Sequence, residues 1–207
     1  MLTSADNLKH TACMRIPVQS KPSSVLTAAQ ARVHGINSTQ LTRLVRAGKL
    51  VRIGRGLYVK AQDDVSEHRS LAEARAQARK GVVCLISALR FHDITTQAPF
   101  EVWLAIGHKD RAPQIDATSV RIVRFSGTAL TEGIEHHMID GVDVPVYSVA
   151  KTVADCFKFR FKIGLDVALE ALREALSSRK ATRDEIMRFA RICRVANVIR
   201  PYLEAST

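Results

Sequence analysis

Two groups of residues carry side chains whose types and spacing suit chemistry. The first lies in residues 36–59, INSTQLTRLVRAGKLVRIGRGLYV, where Ser38, Thr39 and Gln40 are followed by Arg43, Arg46, Lys49, Arg52 and Arg55. Hydroxyls, an amide and five cations in one short stretch are what nucleic acid requires. Cations neutralise phosphates, and arginine pairs bidentately with guanine. The second group is Lys151, Asp155, Asp166 and Glu170. Each pair is spaced i, i+4, so its members share a face if the segment is helical. Lys151 and Asp155 read as an ordinary surface ion pair, with the less favoured order of charges. Asp166 and Glu170 read as two carboxylates facing the same way, either a solvated face or part of a functional site. No phosphate-binding G-x-x-x-x-G-K-[ST], kinase signature or G-x-S-x-G surrounds these four catalytic candidates. His136 and His137 sit on a predicted strand, where neighbours point to opposite faces, so they make a poor metal pair and no metal site is expected. Phe157 to Lys162 alternates rings and cations. As a strand it would place rings on one face and cations on the other. A stacking platform for single-stranded RNA would need exposed rings, whereas the plain reading buries them.

For the first group to act together, its stretch must fold as a helix, a stop and a hairpin. Leu41, Leu44 and Val45 recur at i, i+3, i+4 and give an apolar face, and Thr39, Arg43 and Arg46 point away from it. Asn37 or Ser38 can cap the helix start, and Gly48 can close its end. Residues 50–53 and 57–59 read as strands joined by Gly54-Arg55-Gly56. Upstream, Thr27 and Gln30 have the spacing of a capping box and start a helix to about residue 34, followed by a turn at Gly35-Ile36. Helix, glycine turn, helix and basic hairpin follow the order of a winged helix-turn-helix. There the second helix enters the major groove and the hairpin touches backbone or minor groove. A small α+β domain with a solvated basic helix would share the local pattern.

Charge favours the nucleic-acid reading. Of the 207 residues, 46% are hydrophobic, enough for a real core, and the formal charge is +11. Residues 1–62 hold ten lysines and arginines against one acid, Asp6, a balance of +9. The rest holds 21 basic and 19 acidic residues, a balance of +2. A merely solubilising charge would be spread more evenly. No apolar run is long enough to span a bilayer, and the first residues lack the apolar segment of a signal peptide. The four cysteines, Cys13, Cys84, Cys156 and Cys193, are scattered without a C-x-x-C. They point to reduced thiols in a cytoplasmic protein rather than to zinc or disulfides.

Residues 1–62 are thus expected to form a winged helix-turn-helix domain, its first helix at residues 6–14. Residues 61–65 read as a linker. Residues 63–207 are expected to form an α+β domain with a small mixed sheet and a helical C-terminal end. Helices are predicted at 67–80 and from 87, and strands at 82–84, 101–106 and 119–125. Asp140-Gly141 joins 135–139 to 142–146 as a two-residue hairpin. From Ser148 onward the pattern is helical, with a capping box at Thr182 and Glu185 and a last helix interrupted by Pro201.

Three passages give a resemblance: LVRAGKLVRIGRGLYV, LISALRFHDITTQAPFEVWLAI and VYSVAKTVADCFKFRFKIGLDVALEALREAL. Together they resemble the AbiEi family, antitoxins of type IV toxin–antitoxin pairs that include the MenA-type antitoxins of mycobacteria. The resemblance implies an N-terminal domain that binds operator DNA and represses its own operon. Because one short recognition helix reads only a few base pairs, the operator is expected to contain repeated half-sites, with self-association on DNA possible. The resemblance also implies a C-terminal domain that counteracts an AbiEii-type nucleotidyltransferase toxin without a stable complex. No cofactor is expected on this reading. ATP and magnesium would enter only if the chain were instead a kinase-like enzyme that modifies a serine of the toxin. A plain effector-sensing transcriptional regulator is the third alternative.

Overall fold

The structure is a computed structural model that describes residues 25–61 and 66–206. The helix expected at residues 6–14 and most of the expected linker lie outside these residues. From Val25 the chain runs β1 (Val25–Thr27), α1 (Ala28–Val33), α2 (Ser38–Arg46), β2 (Leu50–Gly54) and β3 (Leu57–Lys60). Thr27 and Gln30 form the expected capping box at the start of α1. Gly35 takes a positive φ, which glycine tolerates without steric cost, and turns the chain into α2. Ala31, Leu41 and Leu50 form a small core between the two helices and the sheet. The three strands pair antiparallel in the order β1-β3-β2. The strand β1 lacks a pattern legible in three residues. It exists because Val25 and Thr27 lie opposite Val59 and Leu57.

The chain continues as α3 (Arg69–Gln77), β4 (Val82–Val83), α4 (Leu85–Phe91), β5 (Val102–Gly107), β6 (Val120–Phe125), α5 (Thr128–Thr131), β7 (Ile134–Ile139) and β8 (Val142–Tyr147). It ends with α6 (Val149–Lys158), α7 (Arg160–Ile163), α8 (Leu165–Ser177), α9 (Arg183–Ile192) and α10 (Ala196–Ala205). Five strands form a sheet in the order β6-β5-β4-β8-β7. β4 is parallel to β8 and β5 to β6, while β4–β5 and β7–β8 are antiparallel, so the sheet is mixed as expected. The hairpin at Asp140-Gly141 is present, and both residues take positive φ, as the favoured two-residue turn requires.

Alternation along the strands divides the molecule into layers. Trp103 and Ala105 face one side of the sheet with Val82 and Tyr147, against helices that include α4, α6, α8 and α9. Val102 and Leu104 face the other side with Val83 and Val146, against α3. That second core also contains Val25, Leu57 and Val59. The three-stranded sheet therefore shares an apolar layer with the five-stranded one, across the position where a domain boundary is expected. The helix α10 runs through Pro201 rather than breaking there, because Ile199 and Leu203, on either side of the proline, are both buried. Residues 157–162 form no strand: they are the end of α6, a turn at Phe159 and the start of α7, so their rings and cations do not alternate between two strand faces.

Candidate nucleic-acid interface

The helix α2 starts where two side chains satisfy each other's backbone. Gln40 N–H donates to Asn37 Oδ1, and Asn37 N–H donates to Gln40 Oε1, each at 2.8 Å. Gly48, in the left-handed region just past the helix, turns the chain into β2. With Leu41 buried and Leu44 and Val45 half-buried, the opposite face is open. Ser38, Thr39, Gln40, Arg43 and Arg46 are all exposed, and so is Lys49 after the helix. On the hairpin, Arg52 is exposed and its Nε donates to the Gly54 carbonyl at 3.2 Å. Arg55 is exposed at the apex. The structure thus brings all eight expected residues onto the helix, the following turn and the hairpin.

Their electrostatics differ from those of the larger part of the molecule. There, Lys80, Arg90 and Arg121 pair with Asp110, Glu67 and Glu101 at 3.0, 2.6 and 2.9 Å. Among the described residues, Arg43, Arg46, Lys49, Arg52 and Arg55 make no ion pair. Residues 25–61 hold seven lysines and arginines and no acid. Such a surface projects a positive field and attracts phosphates before any contact forms.

The hairpin apex is seated from below. Ala28 N–H donates to the Gly56 carbonyl at 2.8 Å and ties the apex to the start of α1. A Cβ on Gly54 would lie 2.5 Å from Gln77 Nε2 and 2.9 Å from Ala117 Cβ. Gln77 closes α3, and its Oε1 accepts from Asp116 N–H at 2.8 Å. Gln77 and Ala117 thus fix where Arg55 sits. They are distant in sequence and carry no local signal that would single them out.

The second group is not one site. Lys151 and Asp155 are 0% exposed, joined Nζ to Oδ2 at 2.5 Å, which corrects the expectation of a surface ion pair. The spacing set a common face, but α6 is enclosed by neighbouring helices and every residue from Val149 to Phe157 is buried. The other carboxylate oxygen accepts from the Cys193 thiol at 3.2 Å. The ammonium also lies over the Tyr147 and Phe125 rings, at 4.1 and 4.9 Å from their centroids. Burial pushes the Asp155 carboxyl up, while the adjacent ammonium pulls it back. Burial and the Asp155 charge push the Cys193 thiol up to about 12, so it stays protonated as a donor. Glu170 accepts from Thr96 N–H at 2.6 Å, and Asp166 is exposed in the first turn of α8. His136 is exposed on β7 and bonded to Asp143, while the His137 ring lies 4.7 Å from Phe91. No metal-holding cluster occurs among the described residues, and no helix among them is long and apolar enough to cross a membrane.

Residues 19–59, which span β1 to most of β3, match a family model described as a transcriptional regulator, AbiEi antitoxin. No curated protein matches the sequence. A solved structure, that of the RV2827C protein from Mycobacterium tuberculosis, superposes on 80% of this chain with a TM-score of 0.57 and 14% identity. The aligned region covers 65% of that protein's chain. At such low identity the likeness speaks for the mixed α and β fold alone.

Proposed function

We propose that the chain is a transcriptional regulator of the AbiEi antitoxin type. It binds operator DNA through a winged helix-turn-helix made of α1, α2 and the β2–β3 hairpin. The observation that carries this is the row of five exposed cations on α2, the following turn and the hairpin, in a stretch without an acid. α2 lies in the major groove with Arg43 toward a base edge, and Arg52 and Arg55 meet the flanking phosphates. One short recognition helix reads few base pairs, so two copies occupy half-sites about a helical turn apart. In this reading the chain represses its own operon and opposes a nucleotidyltransferase toxin, and the part after residue 62 supplies the second activity. Family resemblance supports the pairing.

The test is binding to the chain's own promoter across a salt series. Wild type should bind with a steep salt dependence. Loss of one phosphate contact in Arg55→Ala should reduce the slope by about one. Arg43→Ala should cost roughly 1–3 kcal/mol and relax specificity at one base pair. Equal binding by wild type and the Arg43→Ala, Arg55→Ala double variant would refute the assigned surface.

A further inference from the structure

The junction of α6, α7 and α8 carries a second basic surface, remote in sequence from α2 and the hairpin. Phe161 is 87% exposed, among the most exposed large apolar side chains described. Unlike Phe100, which is as exposed, it stands in a run of cations, Lys158, Arg160 and Lys162. Its inner side is already occupied. The Arg160 guanidinium lies 4.3 Å from the ring centroid, and it is held there because Arg160 Nη1 donates to the Phe157 carbonyl at 2.9 Å. The ring is thus backed by a fixed cation, and its outer side is open. Lys158 and Lys162 belong to the same short segment, and their ammonium groups lie 6.0 and 5.6 Å from the centroid of the neighbouring Phe159 ring. Residues 157–163 contain no acid. Of the flanking acids, Asp155 is buried on Lys151 and Asp166 has its carboxylate turned onto Gly164. Phe159 packs inward on the buried Phe125 ring, 5.2 Å between centroids. Phe125 in turn lines an open depression of about 560 Å³ that also takes in Lys109.

We propose that this junction binds a single-stranded nucleic-acid segment, with one base stacked on the outer side of Phe161 and the flanking phosphates on Lys158 and Lys162. A base has an apolar face and a charged backbone, and the surface presents a ring set among cations. Stacking does not depend on base identity, so the site takes strands of varied sequence. An apolar protein partner would match the ring but leave three cations facing it. Duplex DNA would match the cations but keep its bases stacked inside. The site is independent of the α2 surface, since it lies on different elements and uses none of the same residues.

The experiment uses the full chain carrying Arg43→Ala and Arg55→Ala, so that the operator-reading surface is silenced. Fluorescently labelled oligouridine and oligothymidine of about a dozen nucleotides are titrated and followed by anisotropy. Saturable binding of either strand is expected. Adding Phe161→Ala should weaken it by about tenfold or more, and Phe161→Trp should retain it. Equal affinity for the two strands assigns the contact to base and phosphate alone, whereas stronger oligouridine binding adds a contact to the 2′-hydroxyl. Phe161→Ala in the otherwise wild-type chain should leave promoter binding unchanged. Absence of binding to both strands, or affinity unaffected by Phe161→Ala, would overturn the proposal.

Discussion

Moving one ammonium and one carboxylate out of water is costly, and their mutual attraction offsets this only when the remaining hydrogen-bonding positions are filled. Lys151 and Asp155 meet that condition. Asp155 has an oxygen for each of Lys151 and Cys193, and the ammonium gains two ring faces. The pair is therefore satisfied within the core of the helical layer. Asp155→Asn keeps the shape and leaves a buried cation unpaired, so it should destabilise the fold by about 3–5 kcal/mol. The double variant Lys151→Met, Asp155→Leu should recover most of that loss, because apolar residues of similar volume replace a buried pair at little cost. Urea denaturation of the three chains measures this. An Asp155→Asn chain of unchanged stability that had lost antitoxic activity would instead place the carboxylate in chemistry.

Whole elements follow rules of different reach. The capping boxes expected at Thr27 and Thr182 and the cap expected at Asn37 or Ser38 are closed within four residues; both boxes are present, and Asn37 caps α2. The Asp140-Gly141 turn is equally local. These features were legible because their partners lie side by side in sequence. The exposed face of α2 was legible for the same reason, since helical spacing alone opposes Arg43 to Leu41. The seat of the hairpin was not legible: it needs Gln77 and Ala117 brought to Gly54 by the docking of α3 and of the loop before β6. Nor was the depth of α6, since i, i+4 spacing assigns a face to Lys151 and Asp155 but only neighbouring helices decide whether that face meets water. The seat has a consequence for the hairpin as a unit. Gly54→Ala adds no charge and removes none, yet its methyl group would press on the Gln77 amide and on Ala117. The amide can swing away, whereas Ala117 Cβ has no such freedom, so the apex should shift. Promoter binding should weaken with all cations retained, and Gln77→Ala should leave that weakening in place. Full promoter affinity in Gly54→Ala would show that the apex is not held by this contact.

At the scale of the whole molecule, the charge and the core are organised differently. Charge divides the chain, with most of the excess on residues 1–62. The core does not, because Leu57 and Val59 from the hairpin share a layer with Leu71, Leu104 and Val146. A hairpin built on such a layer cannot loosen alone: uncovering β3 would also uncover α3 and one face of the five-stranded sheet. Unfolding of the two sheets should therefore be one cooperative event, the all-or-none behaviour that coincident transitions by different probes reveal. The molecule provides its own reporter, since its only tryptophan, Trp103, lies on β5 and is 5% exposed. Trp103 faces the helical layer, on the side of the sheet away from Leu57. Leu57→Ala removes three buried carbons from a side chain that is 2% exposed, which should cost about 2–5 kcal/mol. If the core acts as one, that loss appears in full at Trp103. Tryptophan fluorescence and far-ultraviolet circular dichroism should then give the same urea midpoint, both shifted down together. An early dichroism step in Leu57→Ala, with the Trp103 transition left at its wild-type midpoint, would show instead that the part containing α1, α2 and the hairpin melts on its own.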